Sequence, residues 1–173
     1  MHWTYKRYRT KLDKVCKVIT AAGGWQQPDL IGLAEIENDR VLRDLVCYTP
    51  LVKYGYRYVH RNSPDRRGID VALLYNPATA RILATAFITV CLPRSYDRTT
   101  RDILYCRILA GNKDTLHLFI NHWPSRSDGT RETESLRIHA AGILRSGIDS
   151  LFRALPHPRV IVMGEFNDGP YDK

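Results

Sequence analysis

Three short apolar runs in this sequence end on polar groups of the kinds that handle phosphate and metal. Glu35 and Glu37 follow LIGLA at 30–34, Asn121 and His122 follow LFI at 118–120, and Glu165, Asn167 and Asp168 follow VIVMG at 160–164. Carboxylate, imidazole and amide groups at strand ends on one side of a sheet can converge, because the scaffold is rigid and its loops are solvated. The chemistry open to such a set is phosphate-ester hydrolysis with a hard cation. Magnesium takes oxygen ligands and keeps several waters, so one or two carboxylates and a substrate phosphate suffice, and manganese accepts the same donors. The ion would polarise the phosphoryl oxygen and stabilise the leaving group while a neighbouring acid or amide orients water. Singly, each group has an ordinary explanation: a Glu behind a strand is usually solvated, a lone His122 suits a structural role, and Asn167-Asp168-Gly169-Pro170 is a good turn. Their coincidence at three strand ends favours a site.

The elements that must position them can be read from periodicity. Tyr8, Leu12, Val15, Ile19 and Ala22 recur at steps of four and three, which predicts an amphipathic helix ended by Gly23-Gly24. LIGLAEI at 30–36 reads as a buried strand, and Asn38 or Asp39 can cap a short helix carrying Val41, Leu42, Leu45 and Val46. The middle is strand-rich: YRYVH at 56–60, IDVALLY at 69–75, RILATAFITV at 81–90, DILYCRIL at 102–109 and TLHLFINH at 115–122, with Gly111-Asn112 suited to a hairpin. A second long helix carries the stripe Leu136, Ala140, Ile143, Leu144, Gly147, Ile148 and Leu151, and the last strand, Val160 to Met163, is central in character. Two helices around about six largely antiparallel strands give an α/β or α+β class with layered packing.

The 173 residues suffice for one domain with a buried core, and no stretch approaches the roughly 20 apolar residues of a membrane span. The N-terminus is basic without an apolar run behind it, unlike a signal peptide, and the compartment stays open. A formal charge of +8 and a pI near 9.5 favour polyanionic partners, although the basic residues, among them Lys6, Arg7, Arg9, Arg61, Arg66, Arg67, Arg94, Arg98 and Arg101, are spread along the chain. Cys16, Cys47, Cys91 and Cys106 lie far apart beside apolar segments and read as buried thiols rather than zinc ligands.

Five stretches, PDLIGLAEIEN (28–38), RRGIDVALLY (66–75), TRDIL (100–104), FINHWPSRSDG (119–129) and VMGEFNDGP (162–170), together resemble the endonuclease/exonuclease/phosphatase superfamily, in a branch of bacterial proteins. The resemblance implies part of a four-layer α/β/β/α sandwich of the deoxyribonuclease I-like type. It implies Glu35 as magnesium ligand, His122 and Arg101 as groups holding phosphate oxygens, Asn167 as a phosphate contact that with Glu165 orients the attacking water, and Asp70 as a support behind His122. Glu165 stands in a slot where the family carries aspartate, and the extra methylene moves the carboxylate by roughly an ångström, a displacement that can cost about 100-fold in rate.

The family also begins with a strand bearing an asparagine and ends with a Ser-Asp-His motif. No Asp-His dipeptide occurs here, and His139 and His157 fall in a helix and a proline loop. The expectation is therefore a single domain over 1–173, truncated relative to the family. The expected function is a metal-dependent phosphodiesterase or nuclease, with two alternatives. One is a non-catalytic polyanion-binding half-domain needing a complementing chain or self-associating through an exposed sheet edge; the other is a phosphatase or phosphodiesterase acting on small-molecule or lipid head-group phosphates.

Overall fold

A computed structural model describes residues 3–92, 99–111, 114–127 and 129–171. Arg94, Arg98 and Asn112, singled out above, lie outside them. Helix α1 (Tyr5–Ala22) starts where the Thr4 side chain accepts from the Arg7 amide. Strand β1 (Leu30–Ile36) leads into helix α2 (Asp39–Cys47), and of the two cap candidates it is Asn38 that accepts from the Val41 amide, at 3.1 Å. A short 3-10 turn at Pro50–Tyr54, which periodicity did not predict, precedes β2 (Arg57–His60), β3 (Asp70–Tyr75), β4 (Ala80–Ile88), β5 (Ile103–Ala110) and β6 (Asp114–His122). Helix α3 (Thr130–Ala154) then crosses to β7 (Arg159–Glu165).

The seven described strands form two sheets, ordered β1-β3-β2 and β4-β5-β6-β7, antiparallel except for the parallel pair β6 and β7. Period-two alternation splits each central strand between two cores. In β3, Ala72 and Leu74 face α1 and α2, where they pack with Leu12, Cys16, Leu42 and Leu45, while Val71 and Leu73 meet Leu104, Cys106, Leu118 and Ile120 between the sheets. Phe119 and Ile103 turn outward to α3 and its Ala140 and Leu144. The layers are helix, sheet, sheet and helix, as the four-layer expectation has them. Because β3 is buried on both faces, Leu73→Ala would cost about 3 kcal/mol through transfer and cavity effects. The sheets approach closely at Gly32, where a Cβ would stand 2.6 Å from the Met163 sulfur, which brings β1 against β7.

Strand β7, apolar enough to be central, lies at an exposed sheet edge, with Ile161 and Val162 more than a third exposed. One expectation needs correction. Of the four cysteines only Cys16 and Cys106 are buried; Cys47 at the end of α2 and Cys91 beyond β4 are exposed, since the apolar segments that flank them turn their other residues inward. No helix among the described residues is long and apolar enough to cross a membrane.

Candidate metal and phosphate site

Glu35 owes its position to a β-bulge. Leu33 pairs with Ala72 and Ile36 with Asp70, so Ala34 and Glu35 together oppose the single residue Val71. The extra residue lets Leu33 and Ile36, an odd number of positions apart, both reach the helix-side core. It also holds Glu35 at φ 59°, a left-handed conformation that costs a non-glycine residue about 1–3 kcal/mol and is found mainly where function requires it. Asn167 is held likewise, at φ 54°.

On the second sheet, β6 and β7 run parallel and place His122 beside Glu165 in register. One step back Gly164 faces Asn121 at φ 135°, and a Cβ there would fall 2.0 Å from the Asn121 carbonyl oxygen, so only glycine fits. The ladder continues with the Trp123 amide donating to the Glu165 carbonyl at 2.9 Å.

The two sheets bring Glu35, His122 and Glu165 together: one ligand atom from each lies within 4.8 Å of the others. His122 Nε2 stands 3.5 Å from Glu165 Oε2. The imidazole is buried, the Glu165 carboxylate about half exposed, and Nδ1 of His122 has no hydrogen-bond partner. Burial first, and then the nearby Arg101 and Arg67 cations, push the His122 pKa down to about 4 against a weaker opposing pull from Asp65. The ring is therefore neutral at neutral pH, a form that can ligate a cation or donate a single hydrogen bond. Two carboxylate oxygens and a neutral imidazole are a donor set for a divalent cation, with the oxygens suited to magnesium and the nitrogen to manganese.

Arg101 is buried just before β5; Nη2 donates to the Trp123 carbonyl at 2.7 Å and Nη1 to Asp65 Oδ2 at 3.1 Å. Burial alone would raise the Asp65 pKa, but hydrogen bonds from the Arg67 side chain and backbone and from Arg101 hold it below the usual carboxylate range.

Asn167 donates its side-chain amide to the same Trp123 carbonyl at 2.9 Å, while its own carbonyl accepts from Arg126. One N–H of the amide is thus committed to shaping the loop, and the amide oxygen is left to accept from water. Asp70 is not placed behind His122: it lies on β3, where Oδ2 is 3.4 Å from His60 Nε2 and Oδ1 accepts from the Ser63 amide at 2.8 Å. Both Asp70 oxygens are thus engaged within the first sheet and its loop, by His60 and the Ser63 amide, and Nδ1 of His122 has no hydrogen-bond partner.

Sequence reasoning missed the supports. Asp168, read as a candidate site group or a turn residue, instead accepts from Arg126 Nη2 at 2.8 Å and from the fully buried Arg137 Nε at 2.7 Å, tying the loop that carries Glu165 and Asn167 to α3. Arg137 could have been suspected, since it is a cation adjoining the apolar stripe at Leu136 and Ala140. Asp65 and Asp102, partners of Arg101 and Arg61, left no sequence signal because their pairings span 36 and 41 residues.

The family model described as the Endonuclease/Exonuclease/phosphatase family matches residues 1–173. No curated protein matches the sequence. Among solved structures, humanized D. rerio TDP2 aligns with a TM-score of 0.66 at 18% identity over 98% of this chain and 59% of that one. ANGEL2, a 2′,3′-cyclic phosphatase, aligns at 0.74 and 15% over 98% and 45%. The mannosyl-6-phosphatase Bt3783 of Bacteroides thetaiotaomicron VPI-5482 aligns at 0.69 and 15% over 92% and 57%. This chain spans about half the length of the structures it resembles, and at these identities the likeness shows the fold. With a family match over its full length and the sandwich architecture in place, the chain belongs to the endonuclease/exonuclease/phosphatase family.

Proposed function

We propose that the chain carries the metal and phosphate site of a divalent-metal-dependent phosphoesterase whose substrate is the phosphodiester backbone of nucleic acid. The observation that supports this reading best is the convergence of Glu35, His122 and Glu165 from two sheets and three strands within 4.8 Å. Glu35 and Glu165 would hold the cation through oxygen, with His122 as a third donor, and the bound ion would polarise the phosphoryl group and stabilise charge on the leaving oxygen. Arg101 lies beside His122, and its guanidinium charge can attract a phosphate oxygen. The amide oxygen of Asn167 can accept from the attacking water. Hydrolysis joins the water oxygen to phosphorus and breaks one P–O ester bond, the departing alkoxide taking up a proton. Rigid placement serves this chemistry because orientation supplies much of the rate. The net charge of +8 favours a polyanionic substrate, contacted through phosphates rather than bases.

A second reading, polyanion binding without hydrolysis or hydrolysis only beside a complementing chain, is favoured by the exposed apolar edge of β7 and by glutamate at 165 in place of the family's aspartate.

The deciding experiment is magnesium-dependent hydrolysis of supercoiled plasmid and of an aryl phosphodiester, with Glu35→Gln and EDTA as controls. The first reading expects activity that both controls remove, with a loss of at least about 100-fold in the variant. Equal rates for wild type and Glu35→Gln would overturn it, and plasmid retention on a gel without cleavage would establish the second.

A further inference from the structure

A cavity of about 390 Å³ shares Arg101 with the wall of the candidate site, and the hydrolytic steps above make no use of it. Its polar lining comes from three separate loops: Arg67, Thr100 with Arg101, and Ser125 with Ser127. Thr133 in the first turn of α3 also lines it, and that 25-residue helix begins at Gly129 with no side-chain cap. The dipole of a helix start favours an anion, and Glu132 of the first turn already brings its carboxylate to Gly129.

Independent of the helix, two buried residues that line both this cavity and the closed space beside His122 carry atoms without partners. Thr100 is 3% exposed with no hydrogen bond to Oγ1, and Arg101 is 3% exposed with none to Nε. A buried hydroxyl and a buried guanidinium N–H left unmet are costly, and both would be satisfied by an anionic oxygen. The carboxylate on the same wall does not compete, because both Asp65 oxygens are taken by Arg67 and Arg101. Leu92, Pro124 and Leu136 supply an apolar side against which a sugar can rest.

Building on the phosphoesterase reading, we propose that this cavity is a second phosphate subsite, which takes the sugar phosphate next to the scissile ester and makes the substrate a chain or a bisphosphate rather than an isolated ester. Thr100 donates its hydroxyl to the second phosphate, Arg101 donates Nε, and Arg67 supplies charge at the rim.

Binding of inorganic phosphate is measured by calorimetry in EDTA for wild type, Thr100→Val, Thr100→Ser, Arg67→Gln and Glu35→Gln. Loss of one charge-assisted hydrogen bond weakens binding about tenfold, so Thr100→Val and Arg67→Gln are each expected to bind about tenfold more weakly. Thr100→Ser and Glu35→Gln should bind like wild type. A second arm compares kcat/KM for a dinucleotide with and without an additional terminal phosphate; a preference of about tenfold for the former is expected, falling to none in Thr100→Val. Phosphate binding that is absent in wild type, or unchanged in both Thr100→Val and Arg67→Gln, overturns the subsite even where Glu35-dependent hydrolysis is intact. Absence of hydrolysis would count against the catalytic reading alone, since the titration requires neither metal nor turnover.

Discussion

Replacing Asp168 with alanine removes the acceptor that ties the loop of Glu165 and Asn167 to α3, and the cost can be worked out partner by partner. Arg126 is about a third exposed and can turn to water, so its 2.8 Å bond contributes about 0–1 kcal/mol. Arg137 is 1% exposed and cannot. Its remaining bonds, Nη1 to Thr133 Oγ1 at 2.7 Å and Nη2 to the Thr130 carbonyl at 3.1 Å, go to neutral oxygens, so the guanidinium is left as a buried charge without a counterion. Breaking one side of such a pair costs about 3 kcal/mol. For a domain of this size that corresponds to a melting temperature lower by about 6–12 °C.

Urea denaturation of wild type, Asp168→Ala, Arg137→Met and the double variant gives the measurement. Because replacing a buried pair by an apolar side chain is close to neutral, the double variant should recover most of the loss. A cost below about 1 kcal/mol for Asp168→Ala, or a double variant less stable than Asp168→Ala alone, would refute the reasoning.

Three further outcomes follow from the same structure. Gly164→Ala should fail to fold or lose several kcal/mol, because its Cβ would overlap the Asn121 carbonyl while φ is 135°; wild-type stability by thermal melt would show that the β6–β7 register is wrong. A thiol reagent at pH 8 should modify Cys47 and Cys91 in the native chain and all four cysteines only after unfolding, since Cys16 and Cys106 are buried and burial pushes the Cys106 thiol up to about 12. His122, held near 4 when folded against about 6.5 when unfolded, binds fewer protons in the folded state. Its effect is absent above the unfolded value, and stability of the metal-free chain falls as pH drops from about 6.5 to 4, by about 3 kcal/mol in all. His122→Asn should flatten that segment of the stability profile, and an unchanged profile in the variant would remove His122 as its source.

What the sequence determined by itself was local and periodic. Helical spacing located α1 and α3, apolar alternation located the strands, and the polar groups behind LIGLA, LFI and VIVMG named Glu35, His122 and Glu165 before any contact was known. Those signals are legible because burial imposes a period on the chain wherever an element has one face inside. The exposure of Cys47 and Cys91, the partnering of Asp70 with His60, the clamp of Arg137 on Asp168 and the pairing of Asp65 with Arg101 were decided only in the tertiary structure. Each depends on which loop meets which across separations of 10 to 36 positions or on which face a turn presents, and charges at such separations leave no periodic trace. The bulge that aims Glu35 belongs to the same class: Ala34 and Glu35 continue an ordinary strand in sequence, and only the requirement that Leu33 and Ile36 both reach the helix-side core forces the extra residue out.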